Sequence, residues 1–203
     1  MCEFCQQDIF LPTFPSPAHN LLDYERVHKH LIPPSYVSLH ALGEYKGIIA
    51  GLVSKLKFSG QVLAAKVLSD FFICYLKDSL LHKQSVPDAL VPIPLSKLRY
   101  IQREFNQAHE LSIHLSEGFD IPICQALQRR KHTKQQSSLN KEQRLLNIQN
   151  AFEITTSVPY NSIALVDDVI TTGATINAAC EAIQAHSPDL EIHVWCMAVS
   201  VKE

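Results

Sequence analysis

Two adjacent carboxylates, Asp167 and Asp168, end the apolar run Ile163-Ala164-Leu165-Val166 and are followed by Val169-Ile170-Thr171-Thr172-Gly173-Ala174-Thr175. A loop of small residues that opens into a helix offers an anion its backbone N–H groups and the positive end of the helix dipole. The hydroxyls of Thr171, Thr172 and Thr175 can add donors to the same anion. The two carboxylates just upstream suit ribose hydroxyls or a hydrated magnesium ion. A phosphate cradle on one side and a sugar or metal contact on the other point to a phosphorylated sugar as ligand.

These residues need a strand before them and a helix after. Ile176, Ala179, Cys180 and Ile183 recur at the spacing of one helix face, which predicts a helix over 176–186. A second unit of the same kind begins at residue 88. A short buried strand ends near Val91, because proline does not fit inside a central strand. A loop through Pro92, Ile93, Pro94, Leu95 and Ser96 then carries Lys97, Arg99 and Arg103. Asn106 is a suitable N-cap for a helix that buries Ala108, Leu111 and Leu115 and closes near Gly118. Two strand–loop–helix units imply an α/β fold: a central, mainly parallel sheet flanked by helices, with the ligand loops along one edge.

The remaining segments extend that frame. Alternation of Val37, Leu39 and Ala41 predicts a strand over 36–45. Ile48, Ile49, Leu52, Val53 and Leu56 predict a helix, and a second one over 61–81 is expected to bury Leu63, Val67, Phe71 and Tyr75. Lys55 and Lys57, beside a turn, read as solvated, with facing an anionic ligand as the lesser alternative. Residues 157–165 return to the sheet and 190–200 form a last buried strand. Residues 11–34 contain five prolines and read as an irregular leader.

Composition narrows the classes. At 203 residues, 46% hydrophobic and 19% charged, the chain is long enough for one α/β domain with a small appendage. A net charge of −2 excludes an overall basic nucleic-acid binder. The first residues lack the pattern of a signal peptide, and no apolar run approaches the roughly 18 residues of a membrane span. Six scattered cysteines are no disulfide framework, so the expected location is cytoplasmic. Cys2 and Cys5 form one C-x-x-C, half of a four-ligand zinc site, with no second pair after it.

Charge is also unevenly distributed. Residues 97–144 hold nine Lys/Arg and five Asp/Glu, a local excess of four positive charges in a negative chain. A basic hood over a phosphate cradle suits a polyphosphate; a solvated basic loop has the same composition. The acidic pair could also belong to a nucleotide triphosphatase, but no G-x-x-x-x-G-K-[ST] precedes it. A receiver domain carries its acidic pair near its start, whereas only 36 residues follow Asp167. No G-x-S-x-G or H-E-x-x-H is present to suggest a hydrolase.

Residues 164–175 resemble the signature by which type I phosphoribosyltransferases bind phosphoribosyl pyrophosphate. Tyr45-Lys46-Gly47, Lys55-Leu56-Lys57-Phe58, Val91-Pro92-Ile93-Pro94-Leu95 and Phe105-Asn106-Gln107 further resemble one branch, the ComF family. So do Arg129, Lys131, Thr133, Gln136, Arg144, Asn147 and Asn150-Ala151-Phe152. The resemblance runs from about residue 36 to the end. It implies a phosphoribosyltransferase-like domain over 36–203, after a 1–35 leader that is the remnant of a zinc-finger module, with Cys2 and Cys5 as its remaining zinc ligands.

It further implies that Asp167 and Asp168 contact the ribose with magnesium nearby, and that Thr171, Thr172, Gly173, Ala174 and Thr175 bind the 5-phosphate. Pro92 to Ser96 would face the pyrophosphate, under a basic flap over 129–150 that includes Arg129, Lys131, Gln136 and Arg144, with Arg99 and Arg103 beside it. The implied role is DNA uptake in natural competence, either as a transferase of unknown acceptor or as a non-catalytic sensor. Single-stranded DNA and competence proteins are the implied partners, and a homodimer is left open. One departure from the family pattern is Arg103-Glu104-Phe105-Asn106-Gln107, with glutamate where the family has glycine.

Overall fold

The computed structural model of the chain describes residues 20–58, 61–83, 86–130 and 151–201. The strands are β1 (Ser38–Glu44), β2 (Ala89–Pro92), β3 (Leu127–Arg129), β4 (Phe152–Ile154), β5 (Ser162–Ile170) and β6 (Glu191–Val199). The helices are α1 (Glu25–His28), α2 (Gly47–Phe58), α3 (Leu63–Lys83), α4 (Lys97–Arg103), α5 (Gln107–Phe119) and α6 (Ala174–Gln184). Four strands form the main sheet in the order β1-β6-β5-β2, every pair parallel. The expected mainly parallel α/β sheet is therefore present, with β5 and β6 at its centre.

The sheet is covered on both faces, which explains why its strands are apolar almost without interruption. Successive side chains of β5 alternate between the two cores, as the pleat requires. Ile163 and Leu165 pack with α6 and the leader, whereas Ala164 and Val166 pack with α2, α3 and α5. Trp195 of β6 anchors the second core, its ring 5.5 Å from that of Phe72 and 4.9 Å from that of Phe119.

Several elements differ from their expected form. The segment 97–103 is a helix: the Ser96 hydroxyl accepts a hydrogen bond from the Arg99 amide at 3.4 Å, an N-cap that the prolines upstream obscure. None of its residues is buried, so it carries no apolar stripe by which periodicity could reveal it. Strand β2 runs through Pro92, the register partner of Val166, because the position of its missing N–H faces away from β5, while Ile93 continues the ladder with its N–H on Val166 O at 2.9 Å. The buried face of α3 is rotated from the expected one. Leu63 is 71% exposed, and Ala64, Ala65, Leu68, Phe71, Phe72 and Leu76 are buried. The segment is apolar nearly all round, so the sequence leaves its phase ambiguous, and two adjacent alanines favour close approach on their own side.

The described part of the leader, expected to be irregular, has regular structure. A short 3-10 turn, Leu21–Asp23, leads into α1, and Leu21, Val27, Leu31 and Tyr36 lie in the first core. The Asn20 carboxamide ties this segment to β1. Its oxygen accepts from the Leu22 and Leu39 amides at 3.1 and 3.0 Å, and its nitrogen donates to Val37 O at 2.8 Å. Among the described residues, no helix is long and apolar enough to cross a membrane. Cys124, Cys180 and Cys196 are free thiols.

Candidate functional site

In a parallel sheet all strands end on one edge, and the loops there share a crevice. The structure places a cleft of about 430 Å³ on that edge, lined by Asp167, Asp168, Thr171 and Thr175 from β5 and its loop. Ile93, Pro94 and Leu95 from the loop after β2 face them, with Arg99, Arg103, Asn106, Gln107 and Arg129 around the wall. A small hollow of about 40 Å³ opens from the same floor, lined by Thr171, Thr172, Gly173, Ala174 and Thr175 with Asp167 at its margin. The residues expected to cradle phosphate, hold a sugar and face pyrophosphate are therefore contiguous. Pro92 and Ser96 are not cleft residues: Pro92 completes β2 and Ser96 caps α4.

The hollow is shaped by its backbone. Gly173 is the N-cap of α6 with φ +77°, a left-handed conformation that glycine adopts without strain. The first turn of α6 then has amides without intrahelical partners, aimed at the hollow. The leader supports the loop from behind. Ile32 donates its N–H to Thr172 O at 2.9 Å, and the buried Asn177 side chain donates to Pro33 O at 2.8 Å and accepts from the Ser35 amide at 3.4 Å.

The carboxylates differ in environment. The Asp168 amide donates to Asp167 Oδ1 at 2.8 Å. Burial, and next the charge of Asp168, push the Asp167 carboxyl up to about 7, while that backbone N–H, Lys57 and Arg99 act in the opposite direction. Asp168 is paired with Lys57, Nζ to Oδ1 3.0 Å, with side chains only 18% and 10% exposed respectively. Lys57, at the end of α2, is therefore a site residue and not the solvated lysine its turn position suggests. Tyr45 lies beside it, its ring centre 5.9 Å from Lys57 Nζ.

The opposite wall is cationic. The Arg129 guanidinium lies 5.2 Å from the centre of the Phe152 ring. Its Nε is buried without a protein partner, and its pKa is lowered by burial and then by Arg99, with Asp167 acting the other way. Arg103 donates to Gln107 Oε1 at 2.9 Å, which leaves the buried Gln107 Nε2 unpartnered. Buried donors without acceptors are costly, and these two stand in a cleft with four cations and two carboxylates. The arrangement suits a polyanion. Asn106 performs its expected capping, accepting from the Ala108 amide at 3.1 Å, and also donates to Ile93 O at 3.0 Å, which ties α5 to the loop after β2.

Arg129 ends β3, which pairs antiparallel with β4. The flap expected between them, including Lys131, Gln136 and Arg144, lies outside the described residues, as do Cys2 and Cys5. Among the described residues, no group of three or more His, Cys, Asp or Glu side chains could hold a metal. Two carboxylates beside a loop expected to hold phosphate nevertheless fit magnesium, which is commonly held by one or two carboxylates together with substrate phosphates and water.

Glu104, which stands where glycine was expected, is the C-cap of α4 with φ +67°. That angle gives a physical reason for glycine at the position, because a side chain there is strained. Glu104 points into a side vestibule of about 760 Å³ that shares Tyr45, Lys57, Arg99 and Arg103 with the cleft. Glu104→Gly should raise unfolding stability by roughly 0.5–1 kcal/mol: relief of a left-handed side chain gains about 1–2 kcal/mol, and the freedom glycine gives the unfolded chain takes back about 0.4–1 kcal/mol. Urea denaturation of the two proteins would check this, and an equal or lower midpoint for the glycine variant would contradict it.

Known proteins are similar to this chain in sequence. A family model described as phosphoribosyl transferase domain matches residues 106–200. Competence protein F of Haemophilus influenzae is 32% identical over 208 residues, spanning 98% of this chain and 90% of that protein. DNA utilization protein YhgH of Escherichia coli is 29% identical over 171 residues, covering 81% of this chain and 73% of that protein. Competence protein ComFC of Bacillus subtilis is 34% identical over 143 residues, covering 68% and 55% of the two chains.

Proposed function

The chain belongs to the ComF family of type I phosphoribosyltransferase-like proteins, and on that premise we propose that its cleft binds phosphoribosyl pyrophosphate with magnesium in the service of DNA uptake. The observation that carries this reading is the continuity of three subsites in one cleft. The hollow of Thr171–Thr175 receives the 5-phosphate, Asp167 and Asp168 receive the ribose hydroxyls, and Ile93–Leu95 with Arg99 and Arg129 receive the pyrophosphate. Magnesium, when bound, supplies positive charge to the pyrophosphate as it leaves. The chain's own contribution is positional and electrostatic. The α6 amides and threonine hydroxyls fix one end of the sugar, the two carboxylates fix its hydroxyls, and Arg99 and Arg129 stabilise the departing oxygens. An acceptor nucleophile would displace pyrophosphate at the anomeric carbon. Calorimetric titration with phosphoribosyl pyrophosphate in magnesium tests the reading: saturable binding is expected, and heat no larger than the dilution blank would refute it.

The names of the relatives, two competence proteins and a DNA utilization protein, support the physiological half of the proposal. A second reading, direct contact with single-stranded DNA, is favoured by α4. Lys97, Arg99 and Arg103 alternate there with exposed Leu98, Tyr100 and Ile101, and no residue of the helix is buried. Cations interleaved with an aromatic ring suit a single-stranded backbone and its bases. The affinity for an oligonucleotide should then fall with salt at a slope of about −0.7 per phosphate contacted; a flat salt dependence would exclude this contact.

A further inference from the structure

The ion pair between Lys57 and Asp168 sits where two ligand parts meet. Lys57 Nζ is 3.0 Å from Asp168 Oδ1, so in the free protein the lysine occupies the carboxylate that the phosphoribosyl reading assigns to ribose and magnesium. The same lysine lines the cleft together with Pro94, Leu95 and Arg99 of the pyrophosphate side. It enters from α2, an element separate from both ligand loops, on a stem of four carbons with rotatable ends. The chain has thus placed one adaptable cation between an anion it already has and an anion it would acquire.

We propose that Lys57 serves these two anions in turn: it neutralises Asp168 in the empty cleft and, once a cation or the sugar takes that carboxylate, it becomes a direct ligand of the pyrophosphate group. This rests on the phosphoribosyl reading of the cleft and adds a residue and a coupling to it. Without Lys57, Asp168 would lose the counter-ion paired with it while standing beside a second carboxylate in a partly buried cleft, an arrangement that costs stability. With Lys57 fixed permanently on Asp168, a divalent cation would meet a paired carboxylate. Exchange between the two positions makes cation and pyrophosphate binding mutually favourable, and such coupling is reciprocal by linkage.

The test is a set of calorimetric titrations on the full chain with magnesium alone, inorganic pyrophosphate alone, pyrophosphate with magnesium, and phosphoribosyl pyrophosphate with magnesium. Lys57→Met should bind magnesium alone several-fold more tightly, because a competing cation is gone, and bind magnesium pyrophosphate about tenfold more weakly, because a charge-assisted contact is lost. Lys57→Arg should restore most of the pyrophosphate affinity. Asp168→Asn, which frees the lysine, should tighten metal-free pyrophosphate, and Lys57→Met in that background should abolish the gain. Opposite signs for the two ligands distinguish an exchanging lysine from a merely structural one, which would weaken both or neither. Changes of the same sign, or no gain in Asp168→Asn, would overturn the proposal; should Lys57→Met fail to fold, the Asp168→Asn and Lys57→Arg titrations decide it alone. Failure of the parent protein to bind phosphoribosyl pyrophosphate, by contrast, would remove the reading of the cleft itself.

Discussion

Asparagine at both 167 and 168 should leave the protein folded and weaken phosphoribosyl pyrophosphate binding in magnesium by at least about 100-fold. Each amide keeps the size of the carboxyl group it replaces, and residue 167 keeps an oxygen to accept the amide hydrogen bond that now joins the pair at 2.8 Å. What disappears is charge. A hydrogen bond from a neutral hydroxyl to an ionised carboxylate is worth roughly 1.5–3 kcal/mol. The amides keep neutral hydrogen bonds, so each weakened contact costs roughly 1–1.5 kcal/mol and the two about 2–3 kcal/mol, one and a half to two decades in affinity, and the loss of metal carries the total to about 100-fold or more. The same substitution raises the positive excess of the cleft, because Lys57, Arg99, Arg103 and Arg129 remain. Inorganic pyrophosphate without metal should consequently bind the variant at least as well as the parent. This opposition is the useful part of the measurement. A misfolded variant would lose both ligands, and a variant within threefold of the parent for phosphoribosyl pyrophosphate would show that the acidic pair is not its sugar site.

The site was legible in sequence where one element carries both the scaffold and the chemistry. An apolar run, two carboxylates and a small-residue loop lie within thirteen consecutive positions, so β5, the hollow and the start of α6 follow from local rules. Asn106 was legible for the same reason, as a short polar residue immediately before an apolar helical stripe. Features that depend on tertiary placement were not. Lys57 lies in the last turn of a helix whose buried face is Ile49, Val53 and Leu56; nothing in that spacing says that the helix end meets β5. The exposed helix α4 has no apolar periodicity to detect. The leader's proline content concealed the fact that Leu21, Val27 and Leu31 join the core that also holds Ile170 and Ile176, on either side of the loop after β5. Gln107 reads as an ordinary first-turn residue, and only its burial against the cleft, with Arg103 on its oxygen, marks it as a site residue. The left-handed angle at Glu104 could be anticipated only from the glycine of the family pattern, since glutamate itself carries no such signal.

The free protein should become less stable as pH rises from about 4 to about 7, and Asp167 should be the cause. Burial and the neighbouring Asp168 charge raise its carboxyl from the ordinary value of 3.8 to about 7. Between those values the folded chain holds a proton that the unfolded chain has released. Because stability rises with pH only where the unfolded state binds more protons, it must fall across this window. A displacement of about three units would correspond to roughly 4 kcal/mol if Asp167 were isolated and fully enclosed. Its partial exposure to the cleft, and the opposing pull of Lys57 and Arg99, reduce the expectation to about 2 kcal/mol. Other groups titrate over the same range, so the informative quantity is the difference between the parent and Asp167→Asn, measured by urea denaturation in a chelator. The two should coincide near pH 4, and the variant should be more stable by about 2 kcal/mol at pH 8. Parallel curves across the range would show that Asp167 titrates normally. A cleft that becomes destabilised as its carboxylate ionises is one that a cation or a sugar hydroxyl can relieve, so the strain in the free protein and the proposed affinity for ligand would have the same origin.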